Sequence, residues 1–310
     1  VLREARDRVR CALENSGFSF PYREVIVSLA PASLPKCGAA FDLPIAVSIL
    51  AADSLIDAQA LRHRLLLGEL ALDGRIKPVA GIVAAASYAA RLKHCELLVS
   101  PESAGVGALI EGVRVIPVRS LLEAVGFLTG KLELKPVSAA AGPLPPAKRR
   151  DLPGFGDVVG QAAAKRAVQI AVAGGHNVLF IGPPGAGKTM LARRMLGLFP
   201  PMNRCEMLEV TKIHAASRLT ADVSDQPPAD AGTGLVVERP FRSPHHSTST
   251  AGLIGGGPLP VPGEVSLAHK GLLFLDEFME LKRDALEALR EPLEAKQIMI
   301  SRAKMRLRFP

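Results

Sequence analysis

The chain has 310 residues, 48% hydrophobic and 22% charged, with a formal net charge of +8 at pH 7. That length accommodates two or three domains of ordinary size, and the composition excludes a wholly disordered or collagen-like chain. No apolar run reaches the roughly 18 uncharged residues of a membrane span, so a soluble, cytoplasmic protein with no membrane partner is expected.

The opening VLREARDRVR has neither an initiator Met nor the apolar core of a signal peptide, and it reads as the middle of a helix. The chain is therefore expected to be a piece that has lost its N-terminus, and RLRFP at the other end stops as abruptly. Helical pattern covers 2–15. EVIVSLA (24–30) predicts a strand, FDLPIAVSILAADS (41–54) a helix, and LLLGELALDG (65–74) a strand ending in an Asp-Gly turn. An Ala-rich helix follows at 79–93, then strands at 95–101 and 113–118 and a helix at 119–129. This alternation predicts an α/β domain over 1–130. Residues 131–152, KLELKPVSAAAGPLPPAKRRDL, have the Pro-rich composition of an extended linker.

In the second domain, 153–310, a helix is expected at 161–173, a buried strand at 177–181 (NVLFI), and a helix from Lys188. Residues 203–263 are mixed and rich in Gly, Pro, Ser and Thr. GLLFLDE (271–277) predicts a second buried strand, 280–296 an amphipathic helix, and 297–309 a β-hairpin. Charge is uneven between the two parts. Residues 1–130 hold 14 Lys/Arg against 13 Asp/Glu, and 131–310 hold 24 against 17, giving +1 and +7. A basic half is compatible with nucleic acid or nucleotide phosphates. The absence of Trp and the presence of only two Tyr disfavour an aromatic stacking platform. Cysteines at 11, 37, 95 and 205 form no CxxC pair, so free thiols are expected.

GPPGAGKT (182–189) matches G-x-x-x-x-G-K-[ST] between an apolar run and a helical pattern. Its glycines let successive N–H groups of Gly182, Pro183 to Gly187 and the following turn converge on phosphate oxygens, Pro183 and Pro184 excepted. The helix from Lys188 presents its positive end to the same phosphates. Lys188 is expected to reach the β- and γ-phosphates, and Thr189 to place its hydroxyl on Mg²⁺. LLFLDE (272–277) would deliver Asp276 to the Mg²⁺ shell and Glu277 to the attacking water. ATP hydrolysis with Mg²⁺ as cofactor is the expected chemistry. The catalytic residues are Glu277 and Lys188. The loop residues Gly182, Pro183, Pro184, Gly185, Ala186, Gly187, Lys188, Thr189 and Met190 hold nucleotide, and Thr189 and Asp276 hold the metal.

With these residues in view, the second domain resembles an AAA+ ATPase of the magnesium-chelatase-like ComM/YifB family. The resemblance is carried by 155–194, by RPFRSPHHSTSTAGLIGGG (239–257), by PGEVSLAHKGLLFLDE (262–277) and by LEALREPLEAKQIMISRA (286–303). It implies a P-loop parallel-sheet domain, Val159 and Gly160 near the adenine, and a homo-hexamer. Lys188 and Asp276 stand 88 positions apart, and the resemblance implies that the excess is a helix-2-type insertion lining a ring pore. Arg239, Arg242, His245 and His246 fall in that region and are candidates for DNA phosphate contact. The competing reading is a Pro-shaped loop with internally bonded polar groups. A metal at His245 and His246 is disfavoured because no third ligand is spaced near them. Arg302, Lys304, Arg306 and Arg308 would share one face if they lay on one strand, solvated or turned to nucleic acid. The resemblance also places sensor 1, the arginine finger and the lid beyond Pro310, so the AAA+ core is expected to be incomplete and slow on its own.

SLPKCGAAFDLPIAVSIL (33–50) and LLLGELALDGRIKPVAGIVAAA (65–86) resemble the proteolytic domain of Lon-type proteases. That chemistry needs a Ser activated by a Lys. The nucleophile position falls on Ala40 and the Lys position on about Val83, so a non-proteolytic Lon-like domain is expected. Lys36, Asp42 and Lys77 default to turn or surface roles. Together the two resemblances imply a DNA-remodelling ATPase, a branch-migration helicase of natural transformation. The runner-up is a chelatase-type motor acting on a protein partner, followed by an ATP-dependent protease and an inert nucleotide-binding piece.

Overall fold

The computed structural model describes residues 2–30, 36, 38–92, 94–137, 154–218, 235–257, 260–302 and 305–310. From residue 138 onward the expected linker lies outside the described residues, as do Cys37, Lys304 and part of the expected insertion. The chain divides into two compact units, one of Val1–Pro143 with Ala215–Leu235, the other of Leu144–His214 with Val236–Pro310.

The first unit opens with α1 (Leu2–Asn15), which buries Val9, Ala12 and Leu13 at helical spacing. α2 (Asp42–Ala52) buries Leu43, Ala46, Val47 and Leu50 in the same rhythm. Asp42, expected to play a surface role, is instead 1% exposed. A buried carboxylate needs partners, and Arg8 Nε supplies one at 2.9 Å, with the Leu70 N–H donating at 3.4 Å. The hydrogen bond to Asp42 holds the Arg8 guanidinium above its usual pKa.

Three short strands, β1 (Arg64–Leu66), β4 (Glu96–Val99) and β5 (Arg114–Pro117), form a parallel sheet in the order β1-β4-β5. Between β1 and β4, β2 (Glu69–Leu70) and β3 (Ile76–Lys77) make a small antiparallel pair. α3 (Ile82–Ala89), α4 (Pro101–Gly107) and α5 (Leu121–Leu128) complete the unit. Side chains alternate across the sheet, so the two faces bury different neighbours. Leu98 and Ile116 pack with residues of α1, α2 and α5. Leu97, Val99 and Val115 pack with Ile82 and Ala86 of α3 and Ala104 of α4. Helices thus cover both faces of a parallel sheet, as the apolar strands require.

Two sequence expectations fail in this unit. EVIVSLA forms no strand: Val25 packs partly on the core, but Ile26 and Val27 are exposed and no ladder partner is found among the described residues. The strand expected over 65–74 is broken at Gly68, where the chain leaves β1 and approaches Ile76 so closely that a Cβ would lie 2.5 Å from that side chain. The turn at Asp73-Gly74 is as expected, with Gly74 at φ +82. Burial pushes the Cys95 thiol up, and Cys11, Cys95 and Cys205 are free.

The second unit contains α6 (Ala162–Gly174), α7 (Lys188–Met195) and α8 (Arg204–Arg218), the last running into the neighbouring segment. β6 (Phe241–Arg242), α9 (Thr250–Ile254), β7 (Gly255–Gly256), β8 (Val261–Pro262), α10 (Glu264–Leu267) and β9 (Leu272–Leu273) follow. β6 pairs parallel with β9, and Leu253, Ala285 and Leu289 form a buried cluster against Leu275. Gly271 is required at the start of β9. Leu272 N donates to Pro240 O at 2.9 Å, and a Cβ on Gly271 would stand 2.0 Å from that carbonyl oxygen. Gly271→Ala is expected to destabilise the unit by about 2 kcal/mol or more, read as a lower urea midpoint with unchanged slope.

NVLFI (177–181) has no ladder partner among the described residues, and Leu179 and Ile181 are 72% and 88% exposed. Its hydrophobicity marks it for burial, but β9 is only two residues long and pairs with β6. The helix expected over 280–296 is two helices, α11 (Arg283–Ala288) and α12 (Arg290–Ala295). Pro292 has no N–H to donate to Ala288 O, which interrupts the helical ladder at that turn. The hairpin is present as β10 (Ile298–Arg302) and β11 (Met305–Phe309). Its register pairs Arg302 with Met305 and Ser301 with Arg306, so position 302 falls in the set of 298, 300, 307 and 309. The expected basic stripe is therefore not formed: positions 306 and 308, paired with 301 and 299, fall in the other set.

Candidate functional site

Three segments of the second unit meet at the phosphate-loop sequence. Gly185 and Gly187 take φ of +79 and +81, the left-handed region that only glycine enters without strain. Gly187 then caps α7, whose first turn begins with Lys188 and Thr189. Lys188 Nζ donates to Gly182 O at 2.9 Å and Pro183 O at 3.0 Å, so the ammonium lies across the loop. Gln161, at the start of α6, donates from Nε2 to Ala186 O at 3.1 Å. This contact ties the residues just before α6, Val159 and Gly160, to the loop; the Val159 side chain is 96% exposed. Met190 is partly exposed on the first turn of α7.

The second acidic motif arrives just after β9. Thr189 Oγ1 donates to Asp276 Oδ2 at 3.1 Å. Neighbouring oxygens in an octahedral Mg²⁺ shell, with ligands at about 2.1 Å, lie about 3 Å apart. A hydroxyl and a carboxylate at this spacing are therefore a fitting pair of hard donors. Glu277 follows with φ 50 and ψ 46, a left-handed conformation that costs a non-glycine residue roughly 1–2 kcal/mol. Its N–H donates to Asp276 Oδ1 at 3.1 Å, and its Oε2 lies 3.0 Å from His246 Nδ1. The His245 ring lies tilted by 37° against His246, with centroids 4.0 Å apart, and meets Ser247 Oγ through Nδ1.

The structure treats the four candidate DNA-contact residues unequally. Arg239 donates to Pro200 O at 2.7 Å, Lys270 O at 2.6 Å and Glu206 Oε2 at 3.1 Å, and lies 5.6 Å over the Phe199 ring. Arg242 is bidentate on Glu264, at 2.5 and 2.6 Å. Both guanidiniums are mostly buried and hold the unit together. This replaces the expected phosphate contact at Arg239 and Arg242 with the internally bonded alternative, because a buried planar fork is satisfied by a carboxylate already in place. His246 is brought to Glu277 instead. Sequence reasoning missed Gln161 and the His246–Glu277 contact. Gln161 could have been found from its place directly after Val159 and Gly160; nothing local in the sequence pairs His246 with Glu277.

In the first unit, Ala40 is half-buried and Val83 buried, and Ala40 O accepts from Gly68 N at 3.1 Å. Neither position offers a nucleophile or a base.

The profile described as magnesium chelatase, subunit ChlI, matches residues 154–310, and that described as subunit ChlI of Mg-chelatase matches 1–103. The chain belongs to the magnesium-chelatase-like ComM/YifB family. YifB of Salmonella typhimurium, itself described as uncharacterised, is 44% identical over 312 residues, covering 100% of this chain and 58% of that protein. Competence protein ComM of Haemophilus influenzae is 43% identical over 314 residues, 100% of this chain and 59% of ComM. Lon protease 2 of Bacillus subtilis is 30% identical over 153 residues, 48% of this chain and 26% of that protein. The chain thus spans less than two thirds of the length of its ComM/YifB relatives. Membership places it among AAA+ proteins, which use nucleotide and Mg²⁺ generally. Among the described residues no helix is long and apolar enough to cross a membrane.

Proposed function

We propose that this ComM/YifB chain is the ATP-hydrolysing part of a cytoplasmic, homo-hexameric motor that remodels branched DNA. The Thr189–Asp276 hydrogen bond carries the nucleotide half of this reading, because it joins the phosphate loop to the acidic motif from 87 positions away. The DNA half is supported by the printed name of ComM as a competence protein and by the +7 charge of residues 131–310.

The chemistry proposed is transfer of the γ-phosphoryl group to water. Gly182 to Gly187 and the first turn of α7 direct N–H groups at the phosphates. Lys188 leaves the Gly182 and Pro183 carbonyls and places its charge on the β- and γ-oxygens. Thr189 and Asp276 would hold Mg²⁺, which when bound neutralises charge on the bridging phosphates. Glu277 orients the attacking water and accepts its proton, and His246 fixes the carboxylate until then. Val159 and Gly160 flank the adenine. Ala40 and Val83 leave the Lon-like part without peptide-cleaving groups, so no proteolysis is expected.

The test is ATP-driven dissociation of a four-way DNA junction by the full-length protein, with Glu277→Gln as control. Activity in the parent and none in the variant is the expected result. Tight ATP binding without junction movement, together with tetrapyrrole-stimulated hydrolysis, would transfer the assignment to a chelatase-type motor, the reading favoured by the profile descriptions themselves.

A further inference from the structure

The three parallel strands of the first unit begin side by side. Arg64 of β1, Glu96 of β4 and Arg114 of β5 are register partners, so they form one row across the N-terminal edge of the sheet. Glu96 receives a guanidinium from each side, Arg64 Nε at 2.9 Å and Arg114 Nη1 at 3.4 Å. One carboxylate cannot neutralise two such charges. Arg64 is fixed further by a hydrogen bond from Nη1 to Ala60 O and by its position 5.0 Å over the Phe127 ring. Arg62 adds a third guanidinium that has no partner among the described residues, and His63 and His94 complete the rim. These residues line a solvent-facing cavity of about 220 Å³.

The excess of positive charge here is local. Residues 1–130 as a whole carry a net +1, so the row is not a sample of a generally basic surface. Among the described residues no Phe, Tyr or Trp lines the cavity, which offers a base no ring to stack on. Planar forks converging on a polar hollow suit a tetrahedral oxyanion, which Arg62 and Arg114 can bind bidentately while the Arg64–Glu96 pair forms the floor.

We infer that this cavity is an anion site that takes a backbone phosphate of a nucleic acid strand, without regard to base identity. The inference rests on the DNA-remodelling reading and adds to it a contact outside the nucleotide-binding unit. Phosphate contacts of this kind position a strand and make its binding salt-dependent.

The test measures anisotropy of a fluorescein-labelled single strand with the full-length protein across a salt series, for the parent, for Arg62→Ala/Arg114→Ala and for Arg62→Lys/Arg114→Lys. Loss of this one phosphate contact is expected to reduce the slope of log affinity against log salt by about 0.7. The Lys variant is expected to keep most of the slope, since Lys retains the charge but not the fork. Thermal unfolding of each variant checks that the fold is intact; both replaced side chains are exposed. Equal slopes and affinities for the parent and the Ala variant would overturn the inference while leaving the DNA-remodelling reading in place. A parent that binds no strand at any salt concentration would overturn both.

Discussion

Lys188→Ala is expected to weaken ATP binding by about a hundredfold or more, and hydrolysis is expected to be lost with it. The Lys188 ammonium donates to Gly182 O and Pro183 O at 2.9 and 3.0 Å. Exchange of these neutral carbonyl acceptors for phosphate oxygens sets the ammonium against anions, so that both partners of each hydrogen bond are charged. A hydrogen bond to a charged group contributes roughly 1.5–3 kcal/mol, so losing two removes about 3 kcal/mol or more. Titration calorimetry with ATP and Mg²⁺ measures this directly. Binding within a few-fold of the parent would show that the loop does not cradle the phosphates.

Glu277→Gln is expected to produce the opposite separation: ATP bound within a few-fold of the parent, and hydrolysis lowered by roughly 10²–10⁴. The amide keeps the size and planarity of the side chain and still offers an oxygen to His246, so the contact seen at 3.0 Å has a substitute. What the variant loses is the ability to take a proton from water. The measurements are phosphate release at saturating ATP and nucleotide affinity, made on the same preparation. Unchanged release would remove Glu277 from the catalytic role and leave its left-handed backbone without a functional account.

The turn geometry of the glycine-rich loop, with Gly185 and Gly187 at positive φ, was legible because it is local. The loop needs glycines at fixed positions before a helix, and a run of eight residues records that need. Asp276 was legible for a related reason, since an apolar run ending in two acids is a recognisable signal. The contact of Glu277 with His246 was not, because it depends on a left-handed residue at 277, which hydrophobic pattern does not report. The α/β character of the first unit followed from the alternation of strand and helix patterns; that its strands β1, β4 and β5 run parallel was read only from their pairing. EVIVSLA and NVLFI misled for one shared reason. An apolar run says that a segment favours burial, but a ladder also needs a partner edge, and partner edges belong to the tertiary structure. Arg239 and Arg242 show the same limit for charge: their sequence context offered them to a phosphate, while Glu206 and Glu264, distant in the chain, hold them.

The bond between Thr189 and Asp276 closes a loop of nearly ninety residues. Bringing such distant points together costs an open chain about 4 kcal/mol in lost configurations, and the hydrogen bond returns only a fraction of that. The two halves of the site therefore owe their meeting to packing within the second unit, including the cluster of Leu253, Ala285 and Leu289. Damage to that packing opens the clasp from a distance, and a nucleotide that bridges both halves acts as a fastener for the whole unit.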